Sequence, residues 1–273
     1  MIRVRAPASS ANLGPGFDCV AVALALWNEL EVEEDAAEPP DPTHLGVRAF
    51  GLLAPTEGRR FTFTDRIPLA RGLGSSAATI ALGLVAGARA AGIEPDAEEL
   101  LARGLELEPH ADNLAAALAG GVCLTWSSNG RQRLARLSGT LPLVPIALVP
   151  EDRVETAAAR AALPAELPHA DAAFSAGRAA LLGAALASAD ADLLAEAFAD
   201  RLHEPYRAAN APLLAAVRGD LPAGAVGATL SGSGPTVIVW ARPGEADACA
   251  RDLESRFPDE SVLRLEVAPE GAL

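Results

Sequence analysis

The sequence predicts an α+β protein built as two lobes. Strand-like and helix-like segments mix without the regular β-α-β alternation of a doubly wound sheet. A nearly continuous helical block, residues 154–217, separates the strands before it from those after it. The 273 residues, half of them apolar, suffice for one large core or two modest ones that share a cleft. The split is expected near residue 135, giving an N-terminal domain over 1–135 and a C-terminal domain over 136–273.

Ile2 to Ala6 alternates as a strand that Pro7 is expected to break. "CVAVALALWNELEVEE" is a second strand region, and the acidic, proline-rich stretch 33–43 is an exposed loop. Thr43 is placed to cap a helix through "HLGVRAFGLLA", and "RRFTFTD" alternates as a strand. Ala77, Ile80, Ala81, Leu84, Ala88 and Ala91 follow helical spacing until Gly92 and Pro95 stop it, and Asp96 caps the next helix. "HADNLAAALAGG" is a short helix leading into the strand "GVCLTW" and the turn "SSNGR"; "LVPIALV" is a further strand. After the helical block, "AVGATLSGSGPTVIVWAR" places a glycine-rich turn between strands. The helix "GEADACARDLESRF" follows, then an edge strand, "SVLRLEV", that invites a homodimer by pairing with a second copy.

A net charge of −14 argues against bulk nucleic acid or an acidic membrane surface as partner. Cys19, Cys123 and Cys249 lie far apart, which fits a reducing compartment and neither a disulfide framework nor a zinc site. The start has no apolar signal core and no run reaches membrane-span length, so a soluble, cytoplasmic protein is expected. All 22 basic residues are arginine. Codon bias is the bland reason. The consequence holds regardless: a Walker P-loop, a Schiff-base enzyme and a protein kinase each need a lysine, and all are excluded.

The stretch "LARGLGSSAAT" therefore poses a question, because it has the small-residue character of an anion loop without a cation beside it. A small-residue loop that opens a helix points several unpaired N–H groups at one place, and the helix dipole adds partial positive charge there. The dipole contributes only ~0.3–1 kcal/mol at an exposed end. Hydrogen bonds to a charged acceptor contribute about 1.5–3 kcal/mol each, so the backbone replaces most of the missing cation. Ser75 and Ser76 offer one hydroxyl for Mg²⁺ and one for capping the helix. A flexible turn with a serine cap is the plain alternative. "PASSANLGPGFD" and "TLSGSGPT" are two more turns of the same character.

With these three segments in this order, the chain resembles the GHMP small-molecule kinases over essentially its whole length. Pro68, Leu69, Ala70, Arg71, Gly72, Leu73, Gly74, Ser75, Ser76, Ala77 and Ala78 match that family's nucleotide loop. "PASSANLGPGFD", "EPHADN", "TAAARAALP" and "RLHEPYR" are most similar to the branch whose acceptor is L-homoserine. The resemblance implies an N-terminal lobe like ribosomal protein S5 and a ferredoxin-like C-terminal lobe. It implies ATP and Mg²⁺, with transfer of the γ-phosphoryl group to the homoserine hydroxyl in threonine biosynthesis. A kinase for another small amino or hydroxy acid, such as threonine, and a catalytically inactive metabolite-binding protein are the alternatives.

Homoserine is a zwitterion, so its pocket needs a cation for the carboxylate and an anion for the ammonium. Arg160 and Arg207 suit the first and Asp18 and Asp112 the second, with Asn12 and His110 as neutral partners. By resemblance Ser76 and Glu108 hold the metal, and Ser76, Glu108 and Asp112 form the catalytic set. Each has a structural alternative. Arg160 suits a surface, Arg207 a salt bridge to Glu204, Asp112 a helix cap, and Glu108 a helix end. The chain departs from the family pattern at His44, Pro109 and Ser175, which leaves the adenine contacts unassigned.

Overall fold

The computed structural model describes residues 1–34, 37–94 and 96–273. Asp35 and Ala36 of the expected exposed loop, and the helix-stopping Pro95, lie outside the described residues. The described residues form two antiparallel sheets with helices packed on them. In chain order the first lobe contributes β1 (Ile2–Asn12), β2 (Gly16–Glu34), α1 (Leu45–Gly51), β3 (Arg59–Thr64), α2 (Ser75–Ala90), α3 (Ala97–Gly104), α4 (Ala111–Ala119), β4 (Val122–Ser128) and β5 (Arg131–Ser138). The second contributes β6 (Val144–Val149), α5 (Thr156–Ala161), α6 (His169–Ser188), α7 (Ala191–Ala197), α8 (Glu204–Arg207), α9 (Pro212–Gly219), β7 (Ala225–Leu230), β8 (Val237–Ala241), α10 (Ala246–Arg256) and β9 (Ser261–Arg264).

The first sheet is ordered β1-β2-β4-β5, with β3 also on β2; the second is ordered β7-β8-β6-β9. Contrary to expectation, β1 does not stop at Pro7. Its register against β2 shifts between Pro7 and Ala8, so the ladder irregularity falls where proline lacks a donor. Thr43 is not the cap of α1 either. Its amide and hydroxyl both bond the Asp41 carboxylate, and His44 Nδ1 accepts the Gly46 amide instead. Asp96 caps α3 as expected, accepting the Glu99 amide at 3.0 Å.

The helical spacing from Ala77 onward is realised in α2, whose alanines and small residues let it lie buried against β1, β2, α1 and α4. Leu30, Phe50, Ile80, Leu84, Leu114 and Leu118 are fully buried there. The same core continues into Ile238 and Trp240 of the second sheet, and a separate core lies beneath α9 and α10. The expected split near residue 135 falls inside β5, which runs to Ser138.

The expected edge strand "SVLRLEV" is only half an edge strand. After Leu265, whose amide still donates to Pro145 of β6, the chain crosses to the first sheet. There the Ala25 amide donates to Glu266, the Ala268 amide to Ala23, and the Gly121 amide to Ala268, at 2.7–2.9 Å. This strap fills the gap on β2 between its pairing with β4 at Val20–Val22 and with β3 at Glu29–Glu34. It goes on to bond Ala117 of α4 through the Ala272 amide. The two lobes are thus joined through main chain as well as packing.

Candidate active site

The three small-residue turns meet at the junction of the lobes. The Ser9 amide donates to Leu73, and the Gly232 amide donates to Ala11. The Ser231 hydroxyl donates to Gly72 at 2.6 Å, and Asn12 Nδ2 to the Gly232 carbonyl at 3.0 Å. Interlocked backbones leave no room for side chains. A Cβ at Gly72 would sit 2.3 Å from the Ser231 carbonyl oxygen, and one at Gly74 would sit 2.0 Å from Ser9 Oγ. Both glycines also have positive φ, +80° and +68°. Asn12, Leu13, Asp18 and Ala70 adopt positive φ without being glycine, and such strain is held where surrounding contacts over-determine it.

The loop ends at the N-terminus of α2. Ala78 makes the first helical bond, to Gly74, so the amides of Ser75, Ser76 and Ala77 precede it. Neither serine caps the helix, contrary to expectation: Gly74 occupies the cap in a left-handed conformation with no side-chain bond. Ser76 is exposed and lines the cleft, whereas Ser75 Oγ is buried without a hydrogen-bond partner. An orphaned hydroxyl beside free amides fits a phosphate-bearing ligand. Arg71 is no substitute lysine, because its guanidinium donates to the Pro150 and Glu151 carbonyls, both at 2.7 Å.

A cleft of about 800 Å³, measured out to open solvent, runs from these amides to the acceptor residues. Pro68, Ala70 to Ala77, Asn12, Asp18, Glu108, His110, Asp112, Arg160 and Arg207 all line it. Two loop residues do not: Leu69 is 53 % exposed and turns to solvent, and Ala78 is fully buried on the core side of α2. Six lining residues lay outside the sequence-based set: Ala11, Asn113, Val154, Thr156, Gly232 and Ser233. Asn113 had a signal, since it ends the "EPHADN" segment; its Oδ1 accepts the Ser9 hydroxyl at 2.8 Å.

The end of the cleft expected to take the acceptor is electrostatically dense. Arg160 grips Asp18 with two bonds, 2.8 and 3.0 Å, so these two groups neutralise one another. Arg207 is buried and does not pair with Glu204, which instead holds Arg218 and the Leu230 amide. Arg207 Nη1 reaches the Gly232 carbonyl and His203 Nδ1, and its Nε has no partner. Among the described residues no carboxylate pairs directly with it, although Asp18, Asp200 and Asp112 lie near enough to act on its charge. Burial depresses its pKa, and Arg160 adds to this. Asp112 lies 3 % exposed in the first turn of α4, accepting the Asn113 amide rather than capping from outside. Burial, reinforced by Asp18, raises its pKa from 3.8 to about 6. Glu108 touches His110 Nδ1, and that bond holds the His110 pKa above its ordinary value.

Two of the three departures from the family pattern, His44 and Ser175, have structural roles. His44 caps α1 and packs on Phe63 with ring centroids 4.0 Å apart, and Ser175 bonds Asp200.

Comparison with known proteins agrees with this geometry. The GHMP kinases N terminal domain model matches residues 44–121 and the GHMP kinases C terminal model matches 172–259. A homoserine kinase of Streptomyces avermitilis is 42 % identical over 92 % of this chain and 88 % of its own length. One from Gloeobacter violaceus is 40 % identical over 98 % of this chain and 97 % of its own. The crystal structure of homoserine kinase from Cytophaga hutchinsonii superposes with a TM-score of 0.85 at 26 % identity, covering 99 % and 96 % of the two chains. A mevalonate kinase from L. major, at 16 % identity and TM-score 0.75, shares the fold. With the interlocked loops, the α2 amides and near-full-length kinship all in hand, the chain belongs to the GHMP kinases, in their homoserine kinase branch.

Proposed function

We propose that this protein transfers the γ-phosphoryl group of ATP to the side-chain hydroxyl of L-homoserine, giving O-phospho-L-homoserine for threonine biosynthesis. The observation that carries the reading is the two-ended cleft. Free amides at the N-terminus of α2 face one end, and a buried Arg207 with no direct carboxylate partner shares the other with buried Asp112. A phosphate chain fits the first and an α-amino acid the second.

The Ser75, Ser76 and Ala77 amides hold the phosphate oxygens with donors that need no reorganisation as charge develops. Arg207 takes the substrate carboxylate, while Asp112 and Asp18 take the ammonium. Arg160 is then partly released from Asp18 to share the carboxylate. The hydroxyl is left facing the phosphate end beside Asn113, whose side chain Ser9 fixes. Phosphoryl transfer through a loose transition state rests on such positioning and charge neutralisation, so no covalent step falls to the protein. Ser76 and Glu108 line the same cleft and offer the oxygen ligands Mg²⁺ prefers. When bound there, the ion would supply charge neutralisation at the β- and γ-phosphates. With no membrane-length apolar helix among the described residues, the cytoplasm is the expected site of action.

ADP release measured with homoserine, threonine, mevalonate and galactose as acceptors tests the assignment. Homoserine is expected to lead. A preference for an acceptor lacking the amino-acid head overturns it.

A further inference from the structure

Arg207 is the acceptor-side cation that no carboxylate holds, so something else must keep its guanidinium aimed at the cleft. The contacts around it single out one residue that the sequence reading passed over. His203 is fully buried one helical turn before Arg207. Its Nε2 lies 2.8 Å from the carbonyl oxygen of Gly14, and its Nδ1 lies 3.3 Å from Arg207 Nη1. A carbonyl only accepts, so Nε2 carries the proton. A guanidinium only donates, so Nδ1 offers a lone pair. Two contacts on opposite sides of the ring therefore demand the same neutral tautomer. The ring also stacks on Phe17, centroids 4.9 Å apart at 25°. Phe17 in turn lies 5.3 Å from the Arg207 guanidinium and 5.5 Å from that of Arg160. Asp200 fixes the start of this turn by accepting the His203 and Glu204 amides at 2.8 and 2.9 Å.

We infer that His203 is a positioning residue for the acceptor: as a neutral imidazole wedged between Gly14 and Arg207, it aims Arg207 at the substrate carboxylate. The inference rests on the amino-acid reading of the acceptor. Few side chains meet the requirement. The position needs a donor at one edge, an acceptor at the other, and a flat face for Phe17. Glutamine keeps the polar pair and loses the face; phenylalanine keeps the face and loses the pair. Burial keeps the imidazole neutral, pushing its pKa down to about 4.

The test compares His203→Gln and His203→Phe with the unaltered enzyme on two acceptors, L-homoserine and 3-amino-1-propanol. The second keeps the hydroxyl and the amine and lacks the carboxylate. With homoserine, KM is expected to rise about 10-fold in H203Q and about 100-fold in H203F, at similar kcat and similar KM for ATP. With 3-amino-1-propanol, each variant should match the unaltered enzyme within about twofold, since no carboxylate is there for Arg207 to meet. Equal losses on both acceptors, or none on homoserine, overturn the inference. Imidazole ¹⁵N NMR of the unaltered protein gives a reading independent of variant folding: the Nε2–H tautomer at pH 7 is expected, and an Nδ1–H tautomer or an imidazolium overturns it. Should the unaltered enzyme fail to prefer homoserine over 3-amino-1-propanol, the acceptor assignment falls instead.

Discussion

On the proposed reading, the two ends of the cleft solve the same problem, holding an anion, by opposite means. At the nucleotide end the donors are main-chain amides of residues 75–77, and no charged side chain is committed to them. At the acceptor end the donors are guanidinium groups, one buried and one locked to Asp18. A backbone cradle depends on conformation and so on what its neighbours exclude; it tolerates a chain without lysine. A side-chain cradle depends on residue identity and on where each charge is parked when no ligand is bound.

That contrast can be broken most severely at the acceptor end. Arg207→Ala should lower kcat/KM for homoserine by about 10³-fold, the cost of leaving a buried substrate carboxylate unmatched. The KM for ATP should stay within about twofold, and steady-state kinetics with each substrate varied in turn would show it. The corresponding break at the nucleotide end is Gly74→Ala. Its Cβ would collide with Ser9 Oγ, and its φ of +68° is unfavourable for alanine. Left-handed strain and overpacking each cost about 1–3 kcal/mol, so ATP KM should rise roughly 10- to 100-fold. Adding Ser9→Ala should recover part of that loss, because it removes the colliding hydroxyl; a double-mutant cycle in ATP titrations reads the coupling.

Asp112 sharpens the comparison through stability. Its pKa is raised from 3.8 to about 6 by burial, so its protonated form favours the folded state. That contribution is complete below pH 4 and lost as pH rises through 6. Asp112→Asn should therefore stabilise the ligand-free protein at pH 8 by up to ~3 kcal/mol, with the gain vanishing near pH 4. Homoserine turnover should be lost at the same time. Melting curves across pH 4–8, with and without homoserine, check both. The smallest effect belongs to Arg160→Ala. Its side chain is 39 % exposed and that of Asp18 40 %, so breaking the pair should change unfolding free energy by under ~1 kcal/mol while impairing acceptor binding. Denaturant titration beside homoserine kinetics separates the two.

How much of this could be read in the residue string follows the reach of each interaction. The loop from Pro68 to Ala77 was legible because its chemistry is local: glycines, then small residues, then a helical period. Asp96 was legible as a cap for the same reason. Ser75 and Thr43 misled, because capping is a contest among neighbours that sequence spacing does not referee; Gly74 and His44 won. Arg160 and Asp18 were both named, but their grip spans 142 positions and only the fold brings them together. His203 and Phe17 lie inside the quoted segments "RLHEPYR" and "PASSANLGPGFD" but were missed, because nothing local says what either side chain touches. Their meaning comes from Arg207 and Gly14 arriving beside them. The crossing of residues 265–268 was read as edge strand, since alternation looks the same whichever sheet receives it.

The strap has a consequence for how this molecule is made on the ribosome. Ala23 and Ala25 wait through more than two hundred codons for the carbonyl and amide groups that complete their ladder. A nascent chain halted after the first lobe would carry an unsealed apolar seam on β2. Vectorial folding can prepare that lobe but cannot close it until residues 265–272 leave the exit tunnel.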